Sequence, residues 1–257
     1  MKHPLRTLLL AVCCGLAAAC TQRQEGPKKM SYNIRNGIGI DNIQDIGRIA
    51  RVILREAPDL VALQELDSAT LRVDGRYIPG ELGRMTGMHA TFGRAIGFAG
   101  GSYGIGLLSR TEPLAVRSIP LPGREEARVL LMAEFPDYTV CITHLSLTPE
   151  DRLASLPIIR EATDTCRKPV LLAGDFNTGN AAAVLAGLGG GFRILSDTTR
   201  MTFPSDNPAV RIDYILGRGL PTSATVAESA VDHTATASDH CPLWVTLVWK
   251  RGKQPGK

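Results

Sequence analysis

Eight side chains able to bind a cation, hold an oxyanion or carry a proton stand where apolar runs of the sequence end. Asn33 follows residues 30–32, Glu65 follows 60–63, His144 follows Ile142-Thr143, and Asp175 and Asn177 follow 170–173. Asp239-His240 precedes the apolar stretch 242–249, and Asp213 interrupts Arg211-Ile212-Asp213-Tyr214-Ile215. Carboxylates, imidazoles and amides are the groups of general acid–base work and of metal or phosphate binding. A site holding that many carboxylates and histidines would repel itself unless a cation or a phosphate joined them.

Each fragment alone has an ordinary reading. Gly174-Asp175-Phe176-Asn177 makes a local turn, because Asp and Asn bond their own backbone. Gln64-Glu65 could be a solvated strand end, Ser238-Asp239-His240 a cap or turn, and His144 a satisfied core histidine. Asp213 is harder to dismiss, since an acid flanked by strand-core residues needs a partner to offset its desolvation.

The elements that must position these groups follow from periodicity. Residues 30–34 are strand-like and are followed by a Gly-rich turn at 36–39. Ile43, Ile46, Ile49, Ile53 and Leu54 then have helical spacing, with Asp41 or Asn42 as cap and Pro58 as stop. Leu60-Val61-Ala62-Leu63 returns to strand, which makes a βαβ unit with parallel strands. The pattern recurs as strand 139–143, a helix over 149–163 carrying Leu153, Leu156 and Ile159, and strand 170–173. Further strands are expected at 103–108, 114–119, 128–135, 211–216 and 242–249. The ends of such parallel strands line one crevice.

Before this body, Lys2, His3 and Arg6 precede an apolar run over 8–19. At about a dozen residues it is shorter than the roughly 20 a spanning helix needs, and it has the form of a secretory leader. Ala17 and Ala19 suit a cleaving peptidase, and Cys20 resembles the acylated first residue of a bacterial lipoprotein. The expected organisation is a lipoprotein-type signal peptide at 1–19, a tether at 20–28, a domain at 29–250 and a basic tail at 251–257. Cys141, Cys166 and Cys241 are an odd number at no metal-ligand spacing and are read as small buried hydrophobes. One pair could still bridge in an oxidising periplasm.

The net charge of +4 misrepresents the body. Nine of the 29 lysines and arginines lie outside residues 30–249, leaving 20 there against 24 of the 25 acids. A protein that neutralises many phosphates of a long polyanion would carry a basic excess. Long nucleic acid is therefore not the expected partner.

The ordered set is specific where its parts are not. Ser31-Tyr32-Asn33, Leu63-Gln64-Glu65, Tyr103-Gly104-Ile105-Gly106-Leu107-Leu108-Ser109-Arg110, Thr143-His144-Leu145, Gly174-Asp175-Phe176-Asn177, Arg211-Ile212-Asp213-Tyr214-Ile215 and Ser238-Asp239-His240-Cys241-Pro242 together resemble the endonuclease/exonuclease/phosphatase superfamily. The resemblance implies a DNase I-like, four-layer α/β sandwich with two mixed β-sheets that hydrolyses phosphate esters with a divalent cation. It implies that Glu65 is the principal metal ligand, with Asn33 and Asp239 near the same ion. Such oxygen ligands suit Mg²⁺, or Mn²⁺ in its place. It further implies that Asp175 orients and deprotonates the attacking water, and that Asn177 holds a phosphoryl oxygen. His144 and His240 contact the phosphate, and Asp213 is the acid partner of His240. A buried Asp213 would raise the pKa of His240 and fix its tautomer, so that a metal and two imidazoles supply the positive field.

Arg110 and Arg152 stand where either could reach a phosphate, although ion pairing is the commoner role. Thr202-Phe203-Pro204 is expected to shape the pocket rim, and His89 and His233 match no motif. Relatives that repair DNA carry basic or wedge-like loops, whereas residues 144–152 are short and acidic at Glu150-Asp151. Residues 72–101 are expected to wall a smaller pocket. The expected substrate is thus a small or lipid-linked phosphoester, such as an inositol phosphate or a phospholipid headgroup, hydrolysed by a monomer anchored through Cys20 to the bacterial cell envelope on its periplasmic face. A nuclease and a non-catalytic phosphate-binding lipoprotein are the alternatives.

Overall fold

Apolar runs that alternate between strand and helix spacing become two stacked sheets with helices on their outer faces. The computed structural model describes residues 25–249. The expected leader, Cys20 and the tail at 251–257 lie outside the described residues. In chain order the elements are β1 (Glu25–Asn33), α1 (Ile46–Glu56), β2 (Leu60–Ser68), α2 (Ile78–Thr86), β3 (His89–Phe98), β4 (Gly101–Ser109), β5 (Ala115–Leu121), β6 (Arg128–Glu134), β7 (Thr139–His144), α3 (Pro149–Asp164), β8 (Val170–Asp175), α4 (Ala181–Leu188), β9 (Arg193–Ile194), β10 (Asp213–Arg218), β11 (Thr225–Val231) and β12 (Leu243–Val248).

One sheet has the order β11-β12-β1-β2-β4-β3 and the other β5-β6-β7-β8-β10-β9. Both are mixed, because β1/β2 and β7/β8 run parallel while their other neighbours run antiparallel. These parallel pairs are the two βαβ units read from the sequence. The inner faces bury Leu60, Ala62, Leu107, Leu131, Ile142, Leu171, Ile215 and Val245 against one another. Helices α1 and α2 cover the outer face of the first sheet, and α3 and α4 that of the second, which gives four layers. Among the described residues no helix is long and apolar enough to cross a membrane.

Three boundaries differ from the sequence reading. Helix α1 is capped by Asp45, whose carboxylate accepts from Arg48 N at 3.3 Å, and not by Asp41 or Asn42. Asp41 instead pairs with the Arg48 guanidinium at 2.8 Å, and Ile43 stays outside the helix and exposed; Leu54, within the helix, is exposed on its outer side. Strand β1 starts at Glu25, inside the expected tether, because Lys28 pairs with Thr246 of β12. A polar segment reveals no strand when the neighbour that pairs with it lies at the far end of the chain. Residues 72–101 supply α2 and the edge strand β3, which periodicity did not resolve.

Lys29 is an unexpected charge in the inter-sheet core. It is 0% exposed, and its Nζ donates to the Leu171 carbonyl at 3.1 Å. Burial pushes its pKa down to about 7. A base whose folded pKa lies below its unfolded value leaves the unfolded chain holding more protons between the two, so stability rises with pH from about 7 towards 10.5. Lys29→Met is expected to raise Tm by about 3 °C or more near pH 6, and by less near pH 9.5, because only the charged form is penalised. Calorimetry at both pH values checks this; an equal or negative shift would contradict the buried-charge account.

Candidate active site

The carboxyl ends of the parallel strands bring the predicted residues to one mouth between the sheets. Along β1, Asn33 faces inward, and across the sheets it meets Asp175 at the end of β8. Asn33 Nδ2 donates to Asp175 Oδ2 at 3.1 Å and to Glu65 Oε1 at 3.0 Å, and lies 3.4 Å from His240 Nε2. Its Oδ1 accepts from Arg35 N, which holds the amide plane. Ser238 Oγ donates to the Asn33 carbonyl at 2.7 Å and so ties the Asp239-His240 turn to the end of β1.

Glu65 reaches this point through a bulge. Leu63 pairs with Gly106 but Leu66 with Gly104, so β2 carries one extra residue there, and Glu65 takes a left-handed φ of +57°. A non-glycine residue in that region costs about 1–3 kcal/mol, a strain held only where surrounding structure enforces it. At the end of β8 the backbones press together: a Cβ on Gly174 would overlap the Thr143 carbonyl, so the residue before Asp175 has to be glycine.

Asp175 is 1% exposed. Its Oδ1 accepts from Asn177 N at 2.8 Å, and its Oδ2 lies 3.7 Å from Nε2 of both His144 and His240. Burial, then the charge of Asp213 on the neighbouring strand, raises its pKa to about 7, against the opposing pull of His240, Asn177 and Asn33. Asp213 pairs directly with Asp175 across β10 and β8 and binds His240 Nδ1 at 3.0 Å. Burial disfavours the imidazolium of His240, but contact with Asp213, aided by Asp175 and Asp239, outweighs it and lifts the pKa to about 10. The expected Asp213–His240 pairing is therefore present, with Nδ1–H fixed as donor.

His144 departs from the expectation of two cationic imidazoles. Burial first, then the charges of Arg128 and His240, push its pKa well below 6.5, so it is neutral. The charge that helps to keep His144 neutral belongs to Arg128, which the sequence reading passed over. This side chain is 6% exposed at the start of β6 and pairs with Glu125 and Glu126. Glu125 in turn accepts from Ser146 Oγ, Leu147 N and Thr148 Oγ1, and so clamps the loop after His144. A charged residue opening the apolar run 129–133 was the available signal for Arg128.

Asn177 stays at the site, with its N on Asp175 Oδ1, and with φ +50° it spends one amide hydrogen on the Leu145 carbonyl at 2.8 Å. Other candidates separate from the site. Arg110 pairs with Asp59 at the opposite end of the sheet, and Arg152 donates to the Ser146 and Leu147 carbonyls. His89 and His233 are exposed. Phe203 lies against the His240 ring at a centroid distance of 4.7 Å, and Thr202 Oγ1 accepts from Asp213 N, so the 202–204 segment supports the dyad. Cys141, Cys166 and Cys241 are all free thiols.

The charge balance suits a hard cation. Among the described residues, Glu65, Asp175, Asp213 and Asp239 meet two cations by direct contact, His240 and Arg35, the latter 3.5 Å from Asp239. Ligand atoms of Asp175, Asp213 and His240 lie within 4.8 Å of one another and form a group able to hold a metal ion. Glu65 Oε1 meets the amide nitrogen of Asn33, and Asn33 Oδ1 and Asp239 are both engaged by Arg35; these three residues carry oxygen donors of the kind Mg²⁺ prefers.

The sequence profile described as the Endonuclease/Exonuclease/phosphatase family matches residues 30–240. No curated protein matches the chain. Among solved structures, an endonuclease/exonuclease/phosphatase from Beutenbergia cavernae is 23% identical with a TM-score of 0.70, covering 88% of this chain and 72% of its own. A mannosyl-6-phosphatase from Bacteroides thetaiotaomicron is 19% identical with a TM-score of 0.69, covering 87% and 100%. D. rerio TDP2 complexed with single-strand DNA product is 22% identical with a TM-score of 0.64, covering 86% and 98%. At these identities the likeness is one of fold.

Proposed function

The chain belongs to the endonuclease/exonuclease/phosphatase family, whose members are phosphoesterases, and from that membership we propose that it is a Mg²⁺-dependent hydrolase of a small or lipid-linked phosphate ester at the bacterial cell envelope. The observation that carries the proposal is the meeting of Asp175 Oδ2 with Asn33, His144 and His240 at one buried point, with Glu65 on the second hydrogen of Asn33. Mg²⁺, or Mn²⁺ in its place, would be held by Glu65 with Asn33 and Asp239 and would offset charge on non-bridging phosphoryl oxygens. Asp175, poised near neutrality, takes a proton from the attacking water at Oδ2. His240, held by Asp213, presents Nε2–H to a phosphoryl oxygen. Neutral His144 and the remaining Asn177 hydrogen orient the group without adding charge.

Substrate class rests on what surrounds this mouth. The acidic body and the acidic first turn of α3, at Glu150 and Asp151, argue against a long polyanion. Exposed apolar side chains sit instead at or beyond the same strand ends: Ile40 after β1, Leu71 after β2, Phe98 at the end of β3, Leu147 after β7, and Met201 and Val210 before β10. Apolar groups gathered around a polar site suit a substrate with an apolar portion. Anchoring through Cys20 would keep the enzyme beside such substrates.

A panel of phosphomonoesters, phosphodiesters, phospholipids and nucleic acids tests the proposal with and without Mg²⁺. Chelation is expected to lower ester hydrolysis by about a hundredfold or more, and added Mg²⁺ or Mn²⁺ to restore it. Hydrolysis indifferent to chelation, or absent for every ester, would overturn it. Plasmid nicking at catalytic protein concentrations that falls steeply with salt would favour a nuclease instead.

A further inference from the structure

Beside the catalytic mouth, the amino ends of α3 and α4 diverge and leave a groove of about 190 Å³ whose walls are Leu145, Pro149, Leu153, Leu156, Ala183 and Val184. It adjoins the site at two points. Leu145 follows His144, Thr178 on the groove's edge follows Asn177, and Asn177 Nδ2 bonded to the Leu145 carbonyl at 2.8 Å joins the two. The floor is core, since Leu145, Leu156 and Val184 are nearly or fully buried, whereas Leu153 stands 57% exposed on the wall.

The polar residues at the edge are partly engaged by the protein itself. Arg152 donates to the Ser146 and Leu147 carbonyls. Thr178 Oγ1 accepts from Asn180 N, the Thr178 carbonyl accepts from Tyr214 Oη, and Asn180 Oδ1 caps α4 by accepting from Ala183 N. What the groove presents is aliphatic carbon, with no aromatic face to stack a base or a ring. We propose that this groove is a specificity subsite that takes the alkyl chain of the phosphate ester whose phosphoryl group lies between His144 and Asn177. The assignment rests on the phosphoesterase reading and narrows it to esters of aliphatic alcohols. Its volume admits a chain of several methylenes and excludes a bulky headgroup.

A series of alkyl p-nitrophenyl phosphates from methyl to octyl, used with Mg²⁺ below their aggregation concentrations, tests it on the full chain. Burial of each methylene is expected to raise kcat/KM about three- to fourfold, until the chain outgrows the groove. In Leu153→Glu, which places a charge on an exposed wall position, and in Ala183→Leu, which fills the groove, the octyl-to-methyl ratio of kcat/KM is expected to fall about tenfold or more. A ratio taken within one preparation is insensitive to any loss of folded protein. A flat series in the wild type, or a ratio unchanged in both variants, overturns the subsite while hydrolysis of the methyl ester leaves the phosphoesterase reading standing. Failure to hydrolyse any member with Mg²⁺ or Mn²⁺ overturns the subsite; failure on phosphomonoesters as well overturns the phosphoesterase reading with it.

Discussion

Asp175→Asn is expected to lower turnover of a phosphate ester by about a hundredfold or more while the protein remains folded. Loss of a general base typically has an effect of that size. An amide has nearly the shape of the carboxylate, and its oxygen can still accept from Asn177 N, which now bonds Asp175 Oδ1 at 2.8 Å. What it cannot do is take a proton. Burial and the charge of Asp213 hold Asp175 near 7, the range in which a base is both available and strong enough to act on water. Removing a charge that Asp213 repels relieves the fold, so a Tm equal to or above that of the wild type is expected together with the rate loss. Steady-state kinetics and a thermal melt on the same preparation check the pair of outcomes. Turnover within tenfold of the wild type would remove Asp175 from the chemistry.

Glu65→Gln is expected to match that loss at limiting Mg²⁺ but to differ in its response to metal. The variant keeps the side-chain length and an oxygen able to accept from Asn33 Nδ2, now 3.0 Å from Oε1, yet gives up the charge a hard cation prefers. The Mg²⁺ concentration for half-maximal rate should therefore rise by about tenfold or more, with part of the lost rate regained at high Mg²⁺ or with Mn²⁺. Asp175→Asn should show no such recovery. A metal titration on both variants separates a group that holds the ion from one that moves a proton. An unaltered metal requirement in Glu65→Gln would transfer the metal to the set formed by Asp175, Asp213 and His240.

Both predictions use residues that stood out in the sequence because they end apolar strands with charge. The same rule would have found Arg128, which opens β6 and does more than His240 to keep His144 neutral. It could not have found the bulge that turns Glu65 into a left-handed conformation, because nothing near Gln64-Glu65 marks an extra residue relative to β4. Asp45 replaced Asp41 as the cap of α1 because a side chain's partner is chosen by geometry: both acids were available, and Arg48 engaged each in a different way. Edge strands β3 and β11 escaped periodicity since only one side of each pairs with a neighbour and much of each faces solvent.

From the sequence alone came the two βαβ units, the layered architecture and the eight polar residues at strand ends, because hydrophobic spacing and misplaced charge are local properties written into consecutive residues. Only the tertiary structure decided which groups meet and in what ionic form. Asp175 approaches neutrality and His240 stays cationic because β8 and β10 place two buried carboxylates side by side and one imidazole beyond them. That balance depends on distance and desolvation between residues far apart in the chain, quantities no stretch of sequence contains.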